Sequence, residues 1–117
     1  MAEKRMFSSK IVCSDAFNSM SKNARLLYFE LSMNADDEGV INNAKNIAIL
    51  CGISVKCLDE LVNNKFLIKL DNIFVIKHWF INNFLRKDRI KVSNYKKELE
   101  KLTIKDNGSY TYKVYES

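Results

Sequence analysis

Residues 43–77, NAKNIAILCGISVKCLDELVNNKFLIKLDNIFVIK, decide how this chain folds. Asn42 or Asn43 can cap a helix whose inward side is Ile47, Ala48 and Leu50. Gly52 suits the left-handed position just past a helix end. Ser54 can then cap a further helix with Leu58, Leu61 and Val62 on its buried face. Two short helices joined by Cys51-Gly52-Ile53-Ser54 make a helix-turn-helix. Two apolar β-forming runs follow, Phe66 to Leu70 and Ile73 to Lys77. Only Asp71-Asn72 separates them, and both residues tolerate the positive φ of a two-residue hairpin turn.

The flanking sequence extends this order. Ser21 can cap a strong helix that runs to Ala35, with Ala24, Leu27, Tyr28, Leu31 and Ala35 on one face. Asp36-Asp37-Glu38-Gly39 breaks it, and Val40-Ile41 is long enough only for a short strand. Helix, strand, helix, turn, helix, hairpin is the order of a winged helix-turn-helix. The expected fold is therefore α+β and mainly helical, with the hairpin as a wing paired to Val40-Ile41. Beyond the wing, Ser93 can cap an extra helix, Asn94 to Leu102, with Tyr95, Leu99 and Leu102 on one side. A turn at Asp106-Asn107-Gly108 and alternating Tyr110, Tyr112 and Val114 suggest a terminal hairpin or strand. Residues 1–117 read as one domain: an arm and short helix over 1–20, the helix-turn-helix and wing over 21–79, and a basic segment, helix and tail over 80–117.

Composition narrows the class. An apolar fraction of 47% with 28% charged residues is that of an ordinary globular protein. No apolar run approaches the ~20 residues a membrane helix needs, so no membrane partner is expected. The start, MAEKRMFSSK, lacks the apolar core of a signal peptide. Cys13, Cys51 and Cys57 are odd in number and lack Cys-x-x-Cys spacing, so they read as reduced, mostly buried cytosolic thiols.

The net charge of +5 is unevenly placed. Residues 1–20 balance to +1, residues 21–64 to −2, residues 65–105 to +7 and residues 106–117 to −1. Such asymmetry points to an anionic partner: DNA, RNA or an acidic protein. Its densest part follows an apolar strand and a Trp in FVIKHWFINNFLRKDRIKV, Phe74 to Val92. Positive charge is thereby anchored to a folded surface, as a phosphate backbone requires.

Three stretches resemble a known family: MAEKRMFSSKIVCSDAF (1–17), LYFELSMNADDEGVINN (27–43) and VIKHWFINNFLRKDRIK (75–91). They look like the N-terminal domain of phage replisome organisers, the DnaD-like replication-initiation proteins of phages and prophages of Gram-positive bacteria. The resemblance runs from Met1 to about Tyr112, and its most specific part is the IKHW…INN…RKDR string. It implies a winged helix that binds replication-origin DNA in the bacterial cytoplasm, with a C-terminal region that recruits replication proteins. Such proteins continue past Asn107-Gly108, so the chain is expected to be an excised domain or a short relative lacking that region.

Several residues are candidates for contact with double-stranded DNA. Ser54 and Lys56 begin the predicted recognition helix and would approach the major groove. That helix also carries Asp59 and Glu60, giving it a net charge of −1 and a poor electrostatic match to two rows of phosphates. Asn63 and Asn64 either read base edges or simply end the helix. Lys65, Lys69 and Lys77, on or beside the wing, either hold phosphates or serve as solubilising edge charges. Arg86, Lys87, Arg89 and Lys91 place four cations in six residues with only Asp88 to offset them, the strongest phosphate-binding candidate.

Chemistry is not expected. His78 is the lone histidine, and one His with three scattered Cys is no basis for zinc. Asp36-Asp37-Glu38 reads as a solvated loop rather than a magnesium site. The three glycines are too far apart to cradle a phosphate, and no nucleophile motif occurs. No cofactor is called for. Phe74, Trp79, Phe80, Phe84 and Tyr95 read mostly as core, with stacking on single-stranded bases the alternative use for one or two of them, which nothing in the spacing favours. A second hypothesis is a phage protein-interaction module that inhibits or redirects a host protein; a third is a transcriptional regulator. A homodimer would suit paired half-sites.

Overall fold

Helix α3, Lys22–Asn34, shows how local sequence positions everything else in the computed structural model, which describes residues 5–83, 95–105 and 108–112. The Ser21 hydroxyl accepts from the Ala24 amide and caps the helix. Ala24, Leu27, Tyr28 and Leu31 are buried on one side, and Ala35 follows them into the core. Two one-turn helices, α1 (Ser9–Val12) and α2 (Asp15–Asn18), precede it, capped by the hydroxyls of Ser8 and Ser14.

After α3 come strand β1, Val40–Ile41, and helices α4, Ala44–Leu50, and α5, Lys56–Asn63. Gly52, at φ +70°, ends α4. The Ile53 amide donates to the Ala48 carbonyl and the Gly52 amide to that of Ile49, the paired bonds of a Schellman motif. The same pair closes α5, with Phe66 donating to Leu61 and Lys65 to Val62, so Lys65 itself takes φ +66°.

Strands β2, Leu67–Leu70, and β3, Ile73–Ile76, form the expected hairpin, and β1 joins it to give an antiparallel sheet of order β1-β3-β2. Val40 faces Val75, and Leu70 faces Ile73 across the turn. Only Asp71 takes positive φ there (+47°), the pattern of a type II′ rather than a type I′ turn. Every residue of β3 is buried, so both faces of the sheet are covered.

The second cover is C-terminal. Helix α7, Lys96–Leu99, leads into strand β4, Leu102–Ile104, which pairs with β5, Tyr110–Tyr112. Leu102 and Tyr110 join the main core, with Tyr95, Leu99 and Phe80 packed against it. Side-chain bonds that hold this layer down include Asn42 Nδ2 to Tyr95 Oη at 2.7 Å, Lys101 Nζ to Asp71 at 3.1 Å, Lys77 Nζ to the Tyr110 carbonyl at 3.0 Å and Tyr110 Oη to the Glu38 carbonyl at 2.7 Å. The molecule is a small α+β domain, helical for the greater part of its ordered elements, with two small antiparallel sheets.

Several expectations need correction. Leu50 is 86% exposed, because Cys51 rather than Leu50 continues the Ala44–Ile47–Ala48 stripe at helical spacing. Val62 is only half-buried. The helix expected to reach Leu102 stops at Leu99, since β-branched Thr103 and Ile104 pair with Thr111 and Tyr110 instead. Of the cysteines, Cys57 alone is buried; Cys13 is exposed and Cys51 intermediate. Phe80 and Tyr95 are only half-buried. Ser93, Phe84 and Val114 lie outside the described residues.

The acidic loop departs furthest from its expected solvation. Asp37 is buried, with Arg5 3.6 Å from its carboxylate. Arg5 also donates to the Ala35 carbonyl at 2.8 Å and lies over the Trp79 ring at 5.0 Å. Trp79 opens helix α6, Trp79–Asn82, is fully buried, and donates its indole N–H to the Asp37 carbonyl at 2.9 Å. Gly39, at φ +84°, lets this ring approach: a Cβ there would sit 2.7 Å from Trp79 Cγ.

Gly39→Ala therefore carries both left-handed backbone strain and overpacking, a loss of about 2–4 kcal/mol in urea unfolding. Gly52→Ala, where a Cβ would meet nothing within 4 Å, carries the backbone strain alone. It is expected to cost only about 1–2 kcal/mol.

Candidate nucleic-acid interface

The exposed side of α5 is less acidic than the helix as a whole. Glu60 turns toward α3, where its carboxylate accepts from the Ser21 amide at 2.7 Å and the Ser21 hydroxyl at 2.8 Å. Lys56, Asp59 and Asn63 remain exposed at helical spacing, a face with no net charge. Asp59 lies in the first turn of α5, where the helix dipole favours an acid. Ser54 is exposed, and its hydroxyl accepts from the Lys56 amide at 3.2 Å rather than capping α5 deeper in its first turn. Asn64 donates back to the Glu60 carbonyl and ends the helix.

Lys65, Lys69 and Lys77 converge. They line one depression of about 300 Å³ with Val62, Leu67, Ile68 and Tyr112, and among the described residues no carboxylate lines it. Each arrives by a different route. Lys65 sits at the left-handed residue that ends α5. Lys69 is the one exposed residue of edge strand β2. Lys77 follows β3 and is half-buried. Burial, then the nearby charges of Lys105 and Lys65, push the Lys77 ammonium below the usual lysine range. A site that disfavours its own cation in this way gains most when an anion arrives.

Ser54 and Lys56 stand apart from these three. Eight helical residues, about 12 Å, separate the start of α5 from Lys65. Arg86, Lys87, Arg89 and Lys91 lie outside the described residues. Apart from Lys77, the part of the IKHW…INN…RKDR string that is described is structural. Trp79 fills the core, and the two asparagines fasten the N-terminal arm. Asn82 Oδ1 accepts from the Ser8 amide at 2.8 Å while its Nδ2 donates to the Tyr28 hydroxyl at 2.7 Å. Asn83 Oδ1 accepts from the Met6 amide at 2.9 Å.

Tyr112, which lines the depression, and Lys105, whose charge acts on Lys77, are not signalled as neighbours of these lysines by the sequence. They come near because the Tyr110 amide donates to the Lys77 carbonyl at 2.7 Å, tying the terminal hairpin to the end of β3. The alternation of Tyr110 and Tyr112 signals a strand, but nothing in the spacing tells which element it docks on.

A second depression of about 270 Å³ adjoins the first through Lys69, between the start of α4 and the β2–β3 turn. Asn42, Asn43, Asn46 and Lys45 line one side of it, and Asp71 and Asn72 the other. Among the described residues no group of three or more His, Cys, Asp or Glu is placed to hold a metal ion, and no helix is long and apolar enough to cross a membrane. No family model, curated protein or solved structure matches the chain.

His78 is neither ligand nor base in this arrangement. Its ring meets Phe66 edge-on at 5.5 Å, and burial, then the charge of Lys77, push its pKa down to about 4. An unfolded histidine protonates near 6.5, so between these values the unfolded chain binds more protons. Stability should therefore fall as pH drops from about 6.5 to about 4, with no contribution from this group above that window. The drop in thermal midpoint between about pH 7 and about pH 4.5 should be smaller in His78→Gln than in the parent.

Proposed function

We propose that this chain is a non-enzymatic winged-helix domain that binds double-stranded DNA in phage replication initiation, in the manner of a replisome organiser. The observation that carries the reading is the convergence of Lys65, Lys69 and Lys77 on one depression, which among the described residues no carboxylate lines. The order of elements supports the fold: α3, β1, α4, a Schellman turn, α5, then a hairpin whose inner strand pairs with β1. The charge of +7 over residues 65–105 supports an anionic partner.

In this reading the lysines beside the hairpin hold phosphates, and Arg86, Lys87, Arg89 and Lys91 hold further ones. Ser54 and Lys56 approach the major groove from the start of α5. Phosphate contacts set position and affinity, whereas sequence choice would fall to the few polar groups on the neutral face of α5. The setting is the bacterial cytoplasm.

One observation favours a second reading, a module that binds and redirects a host protein. Ile49, Leu50 and Val55 are 65%, 86% and 42% exposed around the turn between α4 and α5. Apolar side chains grouped at that place suit a protein surface better than a phosphate row.

DNA titrations at several salt concentrations separate the two. The parent should bind duplex DNA with an affinity that falls steeply with salt, by a slope of about −0.9 per phosphate contacted. Replacing Arg86, Lys87, Arg89 and Lys91 with Ala together should flatten that slope by roughly three contacts. Unchanged affinity and slope in this variant would remove the clamp from the proposal. Absence of duplex binding by the parent at low salt would favour the protein-binding module.

A further inference from the structure

The lysine-lined depression has a feature that a duplex would not use. Tyr112, 56% exposed, stands on its rim, above a floor formed by Val62, Leu67 and Ile68. An exposed aromatic beside recessed cations offers a stacking face and a phosphate site together. We propose that this depression binds single-stranded nucleic acid, one base stacking on Tyr112 while adjacent phosphates bind Lys65, Lys69 and Lys77. The inference rests on the DNA-binding reading and specifies the strand state that this site takes.

The stacking face and the recessed Lys77 select a flexible strand, whereas the exposed Lys65 and Lys69 are open to phosphates of either form of DNA. A base inside a duplex has its two faces covered by neighbouring pairs and cannot stack on a side chain. Duplex phosphates also line a convex cylinder, whereas the Lys77 ammonium is recessed and held by the Tyr110 carbonyl at 3.0 Å. A single strand can bend its phosphate inward to reach it. The charge of Lys105 also acts on Lys77 and adds to the positive field there. Lys69 belongs to both depressions, which lets the strand continue past it toward the amides of Asn42, Asn43 and Asn46. Stacking on an aromatic tolerates any base, so little sequence preference is expected at this site.

The test is fluorescence anisotropy with a labelled short oligothymidylate and with a labelled duplex, using the parent, Tyr112→Ala, Tyr112→Trp and Lys105→Gln. Tyr112 is more than half exposed, so its removal should leave the melting curve in place. Tyr112→Ala should weaken oligothymidylate binding about five-fold or more, the loss of one stacked base, and leave duplex binding unchanged. Tyr112→Trp should restore it. Lys105→Gln should reduce the salt slope for the oligothymidylate by about 0.7. An unchanged single-strand affinity in Tyr112→Ala, or an equal loss for both DNA forms, would overturn the inference. Displacement of the oligothymidylate by polyglutamate at equal charge concentration would also overturn it, in favour of an acidic protein segment. Duplex binding by the parent without oligothymidylate binding defeats this inference alone. Binding of neither form defeats the DNA reading as well.

Discussion

The burial of Trp79 against Gly39 is the constraint on which the other parts rest. The indole fills the space that a side chain at position 39 would occupy. Its N–H reaches back to the Asp37 carbonyl, and the Arg5 guanidinium covers its face. Three segments distant in sequence, the N-terminal arm, the acidic loop and α6, are thus joined at one ring. Because the loop leads directly into β1, the ring also sets where the sheet begins. Arg5 and Asp37 are almost wholly excluded from solvent. Loss of either partner would strand a buried charge, so the cluster holds together as a unit.

The central half of the fold was legible because its signals are local. Ser21 before an apolar stripe, Gly52 past a helix end and a two-residue gap between β-forming runs each constrain the backbone within a few positions. The first sheet, with β1 on β3, followed from the order of those elements. What escaped was long-range. Nothing near Asp37 announces that Arg5 will bury it, and a run of Asp-Asp-Glu ordinarily stays in water. Leu50 fits an apolar pattern by one reading of the period, yet a seven-residue helix leaves room for only one stripe. Thr103 and Ile104 followed a helical register until the partner strand at Tyr110 outweighed it.

The candidate site divides along the same line. Lys65, Lys69 and Lys77 could be named as cations beside a hairpin, but their convergence depends on a left-handed residue, a strand edge and a docked terminal hairpin acting together. Tyr112 joins them only through that docking. The rest of the IKHW…INN string around Lys77, by contrast, looks like recognition chemistry in sequence and serves packing in the folded chain. Asn82 and Asn83 fasten the N-terminal arm through its backbone amides at Ser8 and Met6.

The bond between Glu60 and Ser21 has a mechanical meaning. A carboxylate on α5 receives both the amide and the hydroxyl of the residue that caps α3, so a tilt of α5 pulls on the cap of α3. A ligand reaching the start of α5 would thus push on the longest helix of the domain, and through it on the core. Docking would move the two helices as a single lever, with little entropy left to lose at the contact.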